Sequence, residues 1–192
     1  TTLLCLINFP SLVCTNASRM KLASGDNKSL LEFGLRRAQG PDGGISASRY
    51  SFLGGFDGTS NILAAKISNI NCKGTHAHSY VMSYNSLNEI ENNLKLLKKN
   101  SKKNYNFYDL CINQMIRLNY NDTNKGELAA FISYAYSFPD DFLALIDTYD
   151  TLESGIKNFI IVAYALYELD YIPIGIRLDS GDLSYLSKEI RK

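Results

Sequence analysis

The sequence predicts an α/β fold, part of a parallel barrel, and three observations carry that prediction. Short apolar runs alternate with polar loops and amphipathic segments in the order strand, loop, helix, strand, loop, helix, the pattern of parallel β/α units. Most of the strand runs are largely apolar, as in strands covered on both faces. Charged and small residues follow the runs, at the carboxyl strand ends where such barrels assemble their sites.

Each element follows from local signals. Residues 1–24 read as a helix kinked at Pro10, with Arg19 and Lys21 in its last turns and Gly25 as its stop. Residues 30–35 read as a short buried strand, and the stretch from Arg36 to Gly44 as turns. A short helix is expected over 45–53, ended by Gly54-Gly55. Another is expected over 61–67, with Ser60 or Thr59 as its N-cap. Residues 70–73 read as a strand that runs into Gly74-Thr75-His76-Ala77-His78-Ser79. From 127 the order returns: a helix ended by Pro139, a buried strand over 142–146 leading to Asp147, and a long helix. That helix presents Ile156, Phe159, Ile160, Ala163, Leu166 and Tyr167 on one face. The next strand is 172–176, followed by Arg177-Leu178-Asp179-Ser180-Gly181-Asp182 and a helix from about Leu183.

The segment between has a different composition. Asn and Lys dominate from about 85 to 125, with Lys95, Lys98, Lys99, Lys102 and Lys103 close together. This gives a three-part organisation: a barrel segment with its leading helix over 1–84, an Asn/Lys-rich surface insertion over 85–126, and the barrel continued over 127–192. The insertion is expected to hold one helix, 87–100, and then a weakly ordered linker. Its lysines lie near Tyr105, Phe107 and Tyr108, a combination that single-stranded nucleic acid can use. A solvated insertion explains them, the rest of the chain carries no basic excess, and no nucleic-acid partner is expected.

Composition excludes several classes. Among 192 residues, 20 are basic and 19 acidic, giving a net charge of +1; no general pull toward nucleic acid or anionic membrane follows. A 45% apolar content excludes disorder over most of the chain. Cys5, Cys14, Cys72 and Cys111 form no Cys-x-x-Cys pair and share no ligand rhythm with His76 or His78. They read as reduced thiols of a cytoplasmic protein, with no metal site assigned. The apolar start, Leu3 to Ile7, is broken by Asn8, Pro10 and Ser11, far short of the ~20 residues a membrane span needs. A chain that opens on Thr1 inside an apolar run reads as part of a longer polypeptide.

Four strand ends gather reactive groups: Arg36-Arg37, Thr75 to His78, Asp147 to Asp150, and Arg177 with Asp179 and Asp182. Guanidinium forks match planar carboxylates and phosphates through paired N–H bonds, and carboxylates suit sugar hydroxyls or a divalent cation. The set suggests a substrate that is both phosphorylated and carboxylated. Taken singly, each has a plain alternative: a surface arginine, a structural histidine, an aspartate serving as an N-cap.

The run Leu35-Arg36-Arg37-Ala38-Gln39-Gly40-Pro41-Asp42-Gly43-Gly44 resembles the signature of eukaryotic-type nicotinate phosphoribosyltransferases. Leu53-Gly54-Gly55-Phe56-Asp57, Gly74-Thr75 with Ala77-His78, and Gly175-Ile176-Arg177-Leu178-Asp179-Ser180-Gly181-Asp182 resemble that family too, in family order. The resemblance implies a type II phosphoribosyltransferase barrel, a homodimer and a role in NAD salvage. Nicotinate and 5-phosphoribosyl 1-diphosphate would give nicotinate mononucleotide and diphosphate, with Mg2+ present and ATP as co-substrate. It also implies residue roles. His78 would be the histidine that ATP phosphorylates, favoured over His76 by motif position, with Asp147 the acid beside it. Thr75 would contact nicotinate, Arg177 nicotinate or the ribosyl phosphate, Asp179 the ribose hydroxyls, Arg36 the pyridine ring and Arg37 a phosphate. On this resemblance the chain lacks the family's N-terminal domain and later Gly-rich loops, and is expected to be inactive alone. The alternatives are a nicotinamide-preferring relative, against which the Arg36 to Pro41 run stands, and a non-catalytic scaffold homologue that binds through its Lys-rich insertion.

Overall fold

Parallel pairing of short strands, each followed by a helix, recurs along the chain. The computed structural model describes residues 1–192, in two units, Thr1–Gly74 and Thr75–Lys192.

In the first unit, helix α1 (Thr2–Ser24) continues through Pro10. It stops where Gly25 adopts φ 71°, a left-handed value that glycine takes freely. The run expected as a buried strand is only β1 (Leu31–Glu32), paired in parallel with β2 (Gly58–Thr59), and Leu31 and Phe33 stay exposed. The cause is Glu32. Its carboxylate accepts from Ser48 Oγ at 2.6 Å and Thr59 Oγ1 at 2.7 Å, so the strand presents a polar group inward. Leu35–Arg37 then close a 3-10 turn.

Helix α2 spans Gly40–Leu53, longer than predicted. Pro41 occupies the first turn, where its missing N–H costs nothing, and Asp42 complements the helix dipole. Asn61, rather than Ser60 or Thr59, caps α3 (Ile62–Ser68), accepting from the Ala64 N–H at 3.1 Å. Residues 70–73 contribute no strand, only a single bridge from Cys72 to Thr59.

The second unit opens with a one-turn helix, α4 (His78–Val81). The helix expected over 87–100 is absent. In its place stand a 3-10 turn, Leu87–Glu89, and an antiparallel hairpin of β3 (Lys95–Leu97) and β4 (Asn104–Asn106). The expected linker is instead helix α5 (Phe107–Arg117). Leu94, Leu96, Phe107 and Cys111 from this stretch join the hydrophobic core. The hairpin is fastened to the end of α7 (Ile156–Glu168). Lys98 Nζ donates to the Glu168 carbonyl at 3.0 Å, the Lys99 N–H to that of Leu169 at 3.0 Å, and Tyr171 Oη to that of Leu97 at 2.9 Å.

Helix α6 (Lys125–Ser137) supplies Leu128, Phe131, Ile132 and Ala135 to the core. Strand β5 (Leu143–Leu145) runs parallel to β6 (Gly175–Arg177), with Leu145 opposite Arg177. Phe142, Ala144, Leu145 and Ile146 are fully buried, as expected, whereas Ile172 and Ile174 are exposed and β6 is half-buried. On α7 the buried face is Asn158, Ile161, Val162, Ala165 and Leu166. The predicted face differs: Ile156 and Phe159 pack from its flank, and Tyr167 is exposed. The helix is apolar on two stripes, and periodicity alone does not say which one meets the core. Helix α8 (Leu183–Glu189) follows β6. No helix is long and apolar enough to cross a membrane, and all four cysteines are free thiols.

A buried polar cluster fixes how β5 turns into α7. Glu127, wholly buried, accepts from Ser154 Oγ at 2.6 Å and Asn158 Nδ2 at 2.9 Å through one oxygen, while its other oxygen has no partner. Burial pushes its carboxyl above the usual carboxylate range; the Asp147 and Asp150 charges add to this, against those two hydrogen bonds. A carboxyl raised by folding adds most stability while protonated, below its unfolded pKa, and that contribution is lost as pH rises through the folded value. Glu127→Gln keeps the acceptor oxygen without the charge. The melting temperature of the variant minus that of the wild type is therefore expected to grow from about pH 4 to about pH 8. A pH-independent difference would contradict the raised carboxyl.

Candidate active site

Two parallel strands deliver the site. Strand β5 ends at Leu145, and the chain carries Asp147 just past the strand end. Strand β6 ends at Arg177 and passes into Leu178, Asp179 and Ser180. Because the strands are parallel and in register, both carboxyl ends open on the same side. Asp150 and Asp182 do not join the site. Asp150 caps the π-helical turn Thr151–Gly155 through the Leu152 and Glu153 N–H groups, and Asp182 caps α8 through that of Tyr185. They match the plain N-cap alternative.

Asp147 is the hub. Its side chain is 2% exposed, and a buried carboxylate needs partners for both oxygens. Oδ1 lies 3.3 Å from His78 Nε2. Oδ2 accepts from Ser180 Oγ at 2.5 Å and from the Asp179 N–H at 3.1 Å. With Nε2 turned toward the carboxylate, His78 Nδ1 is the nitrogen left to act. The imidazole is 36% exposed, so it is reachable as well as paired.

Arg177 forms the second part. Nη1 donates to Thr75 Oγ1 at 2.5 Å, and Nη2 lies 3.4 Å from Asp179 Oδ2. The Thr75 hydroxyl donates in turn to the His76 carbonyl at 3.0 Å. Of the residues singled out from sequence, the second unit thus brings together Thr75, His78, Asp147, Arg177 and Asp179. Arg36 and Arg37 lie in the first unit, exposed on its 3-10 turn.

His76, the second imidazole of the loop, is differently placed. It is buried, and Nε2 accepts the Leu145 N–H at 3.2 Å. The proton of the neutral ring then sits on Nδ1, which is buried without a partner. Burial is the main cause that lowers its pKa to about 4, with Arg177 and His78 lowering it further. A ring with one nitrogen bonded to backbone and the other protonated and buried has no lone pair to offer. Sequence reasoning missed Ser180 as a partner of Asp147 and His76 as a structural acceptor. Ser180 stood inside a quoted motif, but only geometry shows where its hydroxyl goes.

No cluster of three His, Cys, Asp or Glu side chains is grouped to hold a metal ion, and both Asp147 oxygens are engaged in hydrogen bonds. A dedicated Mg2+ cage does not fit these residues.

The class so defined is an α/β protein whose parallel strand ends carry a histidine–carboxylate pair beside a tethered arginine, a site suited to anions. The chain matches the nicotinate phosphoribosyltransferase (NAPRTase) family over residues 29–145. Nicotinate phosphoribosyltransferase from Dictyostelium discoideum is 55% identical over 192 residues, covering 100% of this chain and 32% of that protein. The Homo sapiens protein of the same name is 45% identical over 201 residues, with 100% and 37% covered. The crystal structure of human nicotinic acid phosphoribosyltransferase superposes with a TM-score of 0.91 at 44% identity, covering 100% of this chain and 39% of that one. The chain belongs to the nicotinate phosphoribosyltransferase family. It spans about a third of the length of these curated relatives.

Proposed function

We propose that the chain carries the histidine-bearing part of a nicotinate phosphoribosyltransferase barrel of type II, in which β5 and β6 are neighbouring strands. The reaction is transfer of the phosphoribosyl group to nicotinate. The pyridine nitrogen bonds to C1 of 5-phosphoribosyl 1-diphosphate as the bond to diphosphate breaks, giving nicotinate mononucleotide for NAD synthesis. ATP hydrolysis is coupled to it through His78. The observation that carries this reading is the His78–Asp147 pair beside Arg177 and Asp179 on one pair of strand ends.

The chemistry follows from the geometry. Asp147 takes the Nε2 proton side of the ring, so His78 Nδ1 presents its lone pair to the terminal phosphorus of ATP and ADP leaves. The phosphorylated ring changes the charge beside the diphosphate site, and its later hydrolysis returns the ring. At C1 the transition state is oxocarbenium-like, and a departing polyanion must be neutralised. Arg177, already tethered by Thr75 and Asp179, brings a fixed guanidinium for nicotinate or a phosphate. Asp179 Oδ2 stands near it for ribose hydroxyls, and Thr75 acts at nicotinate. Arg36 and Arg37 serve the pyridine ring and a phosphate. Mg2+ enters with the substrate phosphates, which need few protein ligands. The four free thiols support a reducing, cytoplasmic setting. The homodimer rests on the family alone.

The test uses the longest natural open reading frame that encodes this sequence, assayed for nucleotide formation with and without ATP, nicotinamide run in parallel. Product from nicotinate, increased by ATP, is the expected result. Product from nicotinamide would overturn the substrate, and a folded protein with neither product would favour a scaffold role.

A further inference from the structure

We propose that His76 is a positioning residue: its imidazole, seated on the edge of β5, fixes the distance between His78 and Asp147 and so the coupling to ATP. This rests on the reading above.

The edge of β5 is the starting point. The Ile146 N–H donates to the Arg177 carbonyl at 3.2 Å, on the side of β6. N–H groups alternate sides along a strand, so the Leu145 N–H points the other way. Its acceptor there is a side chain, His76 Nε2 at 3.2 Å. A buried backbone N–H demands such an acceptor, and this one comes from the loop that carries His78.

The ring cannot slide. Three aromatic rings surround it: Tyr134 at 4.9 Å, Tyr80 at 5.7 Å and Phe131 at 5.8 Å between centroids. Phe131 and Tyr134 stand on α6 and Tyr80 on α4, so the cage joins the loop to a core helix. His78, two residues on, is 36% exposed where it meets Asp147 at 3.3 Å, so its ring is not enclosed as that of His76 is. Thr75 holds the loop on its other side through Arg177. Of the two pins, only His76 grips the strand that leads into Asp147. Burial, which keeps its ring neutral, keeps Nε2 an acceptor.

Two variants and one spectrum of the natural protein test this. His76→Phe fills the cage without an acceptor, and His76→Gln offers a carbonyl oxygen to the Leu145 N–H. In the longest natural open reading frame, His76→Phe is expected to lower kcat of the ATP-stimulated reaction by about 10- to 100-fold, with KM for ATP within about twofold, as for a misplaced reacting group. Acid-labile phosphate on the protein and nucleotide formed per ATP hydrolysed fall with it. His76→Gln recovers most of the loss. Wild-type coupling in folded His76→Phe would overturn the proposal, as would equal loss in both variants. If His76→Phe does not fold, the tautomer decides: nitrogen NMR of the wild type is expected to show Nδ1 protonated, and a protonated Nε2 overturns it. A wild type that makes no nucleotide sinks the enzyme reading and this proposal together, before any variant is made.

Discussion

Replacing His78 by Ala is expected to abolish the stimulation of nucleotide synthesis by ATP while a slow ATP-independent synthesis remains. Removal of the ring deletes the only group on these strand ends that combines an available lone pair with a carboxylate behind it. On the proposed reading the work at C1 belongs to other residues, Arg177 and Asp179 among them, so some transfer is expected to survive. The fold survives too. Asp147 keeps the Ser180 hydroxyl and the Asp179 N–H on one oxygen, and loss of the His78 contact, which leaves the other oxygen without that partner, costs roughly 1 to 3 kcal/mol. Rates with and without ATP are therefore expected to converge to within about twofold, the signature of a lost covalent step. Unchanged coupling of ATP hydrolysis to product in this variant would exclude His78 as the phosphorylated residue.

Gly155→Ala tests the scaffold behind the same carboxylate, and its expected effect is on stability. A Cβ at Gly155 would lie 1.9 Å from the Ile146 carbonyl oxygen and 2.7 Å from its carbon. Both are backbone atoms, so no side chain can swing aside. Gly155 closes the π-helical turn, donating to the Asp150 carbonyl at 2.8 Å, and α7 begins at the next residue. Either the end of β5 or the start of α7 must move, at a cost on the order of 3 kcal/mol. Asp147 moves with Ile146, so activity falls along with stability. Chemical denaturation measures the first and the coupled assay the second. A wild-type denaturation midpoint would mean that strand and helix part easily.

What the sequence revealed of the fold depended on how much local signals compete with tertiary ones. Phe142 to Ile146 was legible as a buried strand because nothing in the run argues otherwise. Gly40 to Gly44 read as a turn from its glycines, yet Pro41 and Asp42 are also first-turn residues, and packing of α2 decided between the two. Residues 87–100 read as a helix from Leu and Lys, but Leu94 and Leu96 point inward from an extended chain and their partners lie in β4 and α5, beyond local periodicity. Glu127 stands three residues after its cap Asn124, a capping-box spacing; its burial against Ser154 and Asn158 was not visible from that spacing. Of the residues singled out by motif order, Thr75, His78, Asp147, Arg177 and Asp179 fall together in the second unit, while Arg36 and Arg37 belong to the first. Position in the motif favoured His78 over His76, with Asp147 beside it, but only the fold shows His78 at the carboxylate and His76 on the edge of β5.

The His78–Asp147 and His76–Leu145 contacts each span 69 residues of chain, and Thr75–Arg177 spans 102. On a ribosome the histidine loop emerges long before the strands that hold it. Until residues 177–180 have left the exit tunnel, Asp147 lacks Ser180 and Thr75 lacks Arg177, whatever helices have already formed. Contacts of such separation come late because the entropy of closing long loops is spent before they reward it. The site is thus a readout of completed synthesis of its unit, and a nascent chain stalled before Arg177 holds the reactive ring without the arrangement that makes it selective.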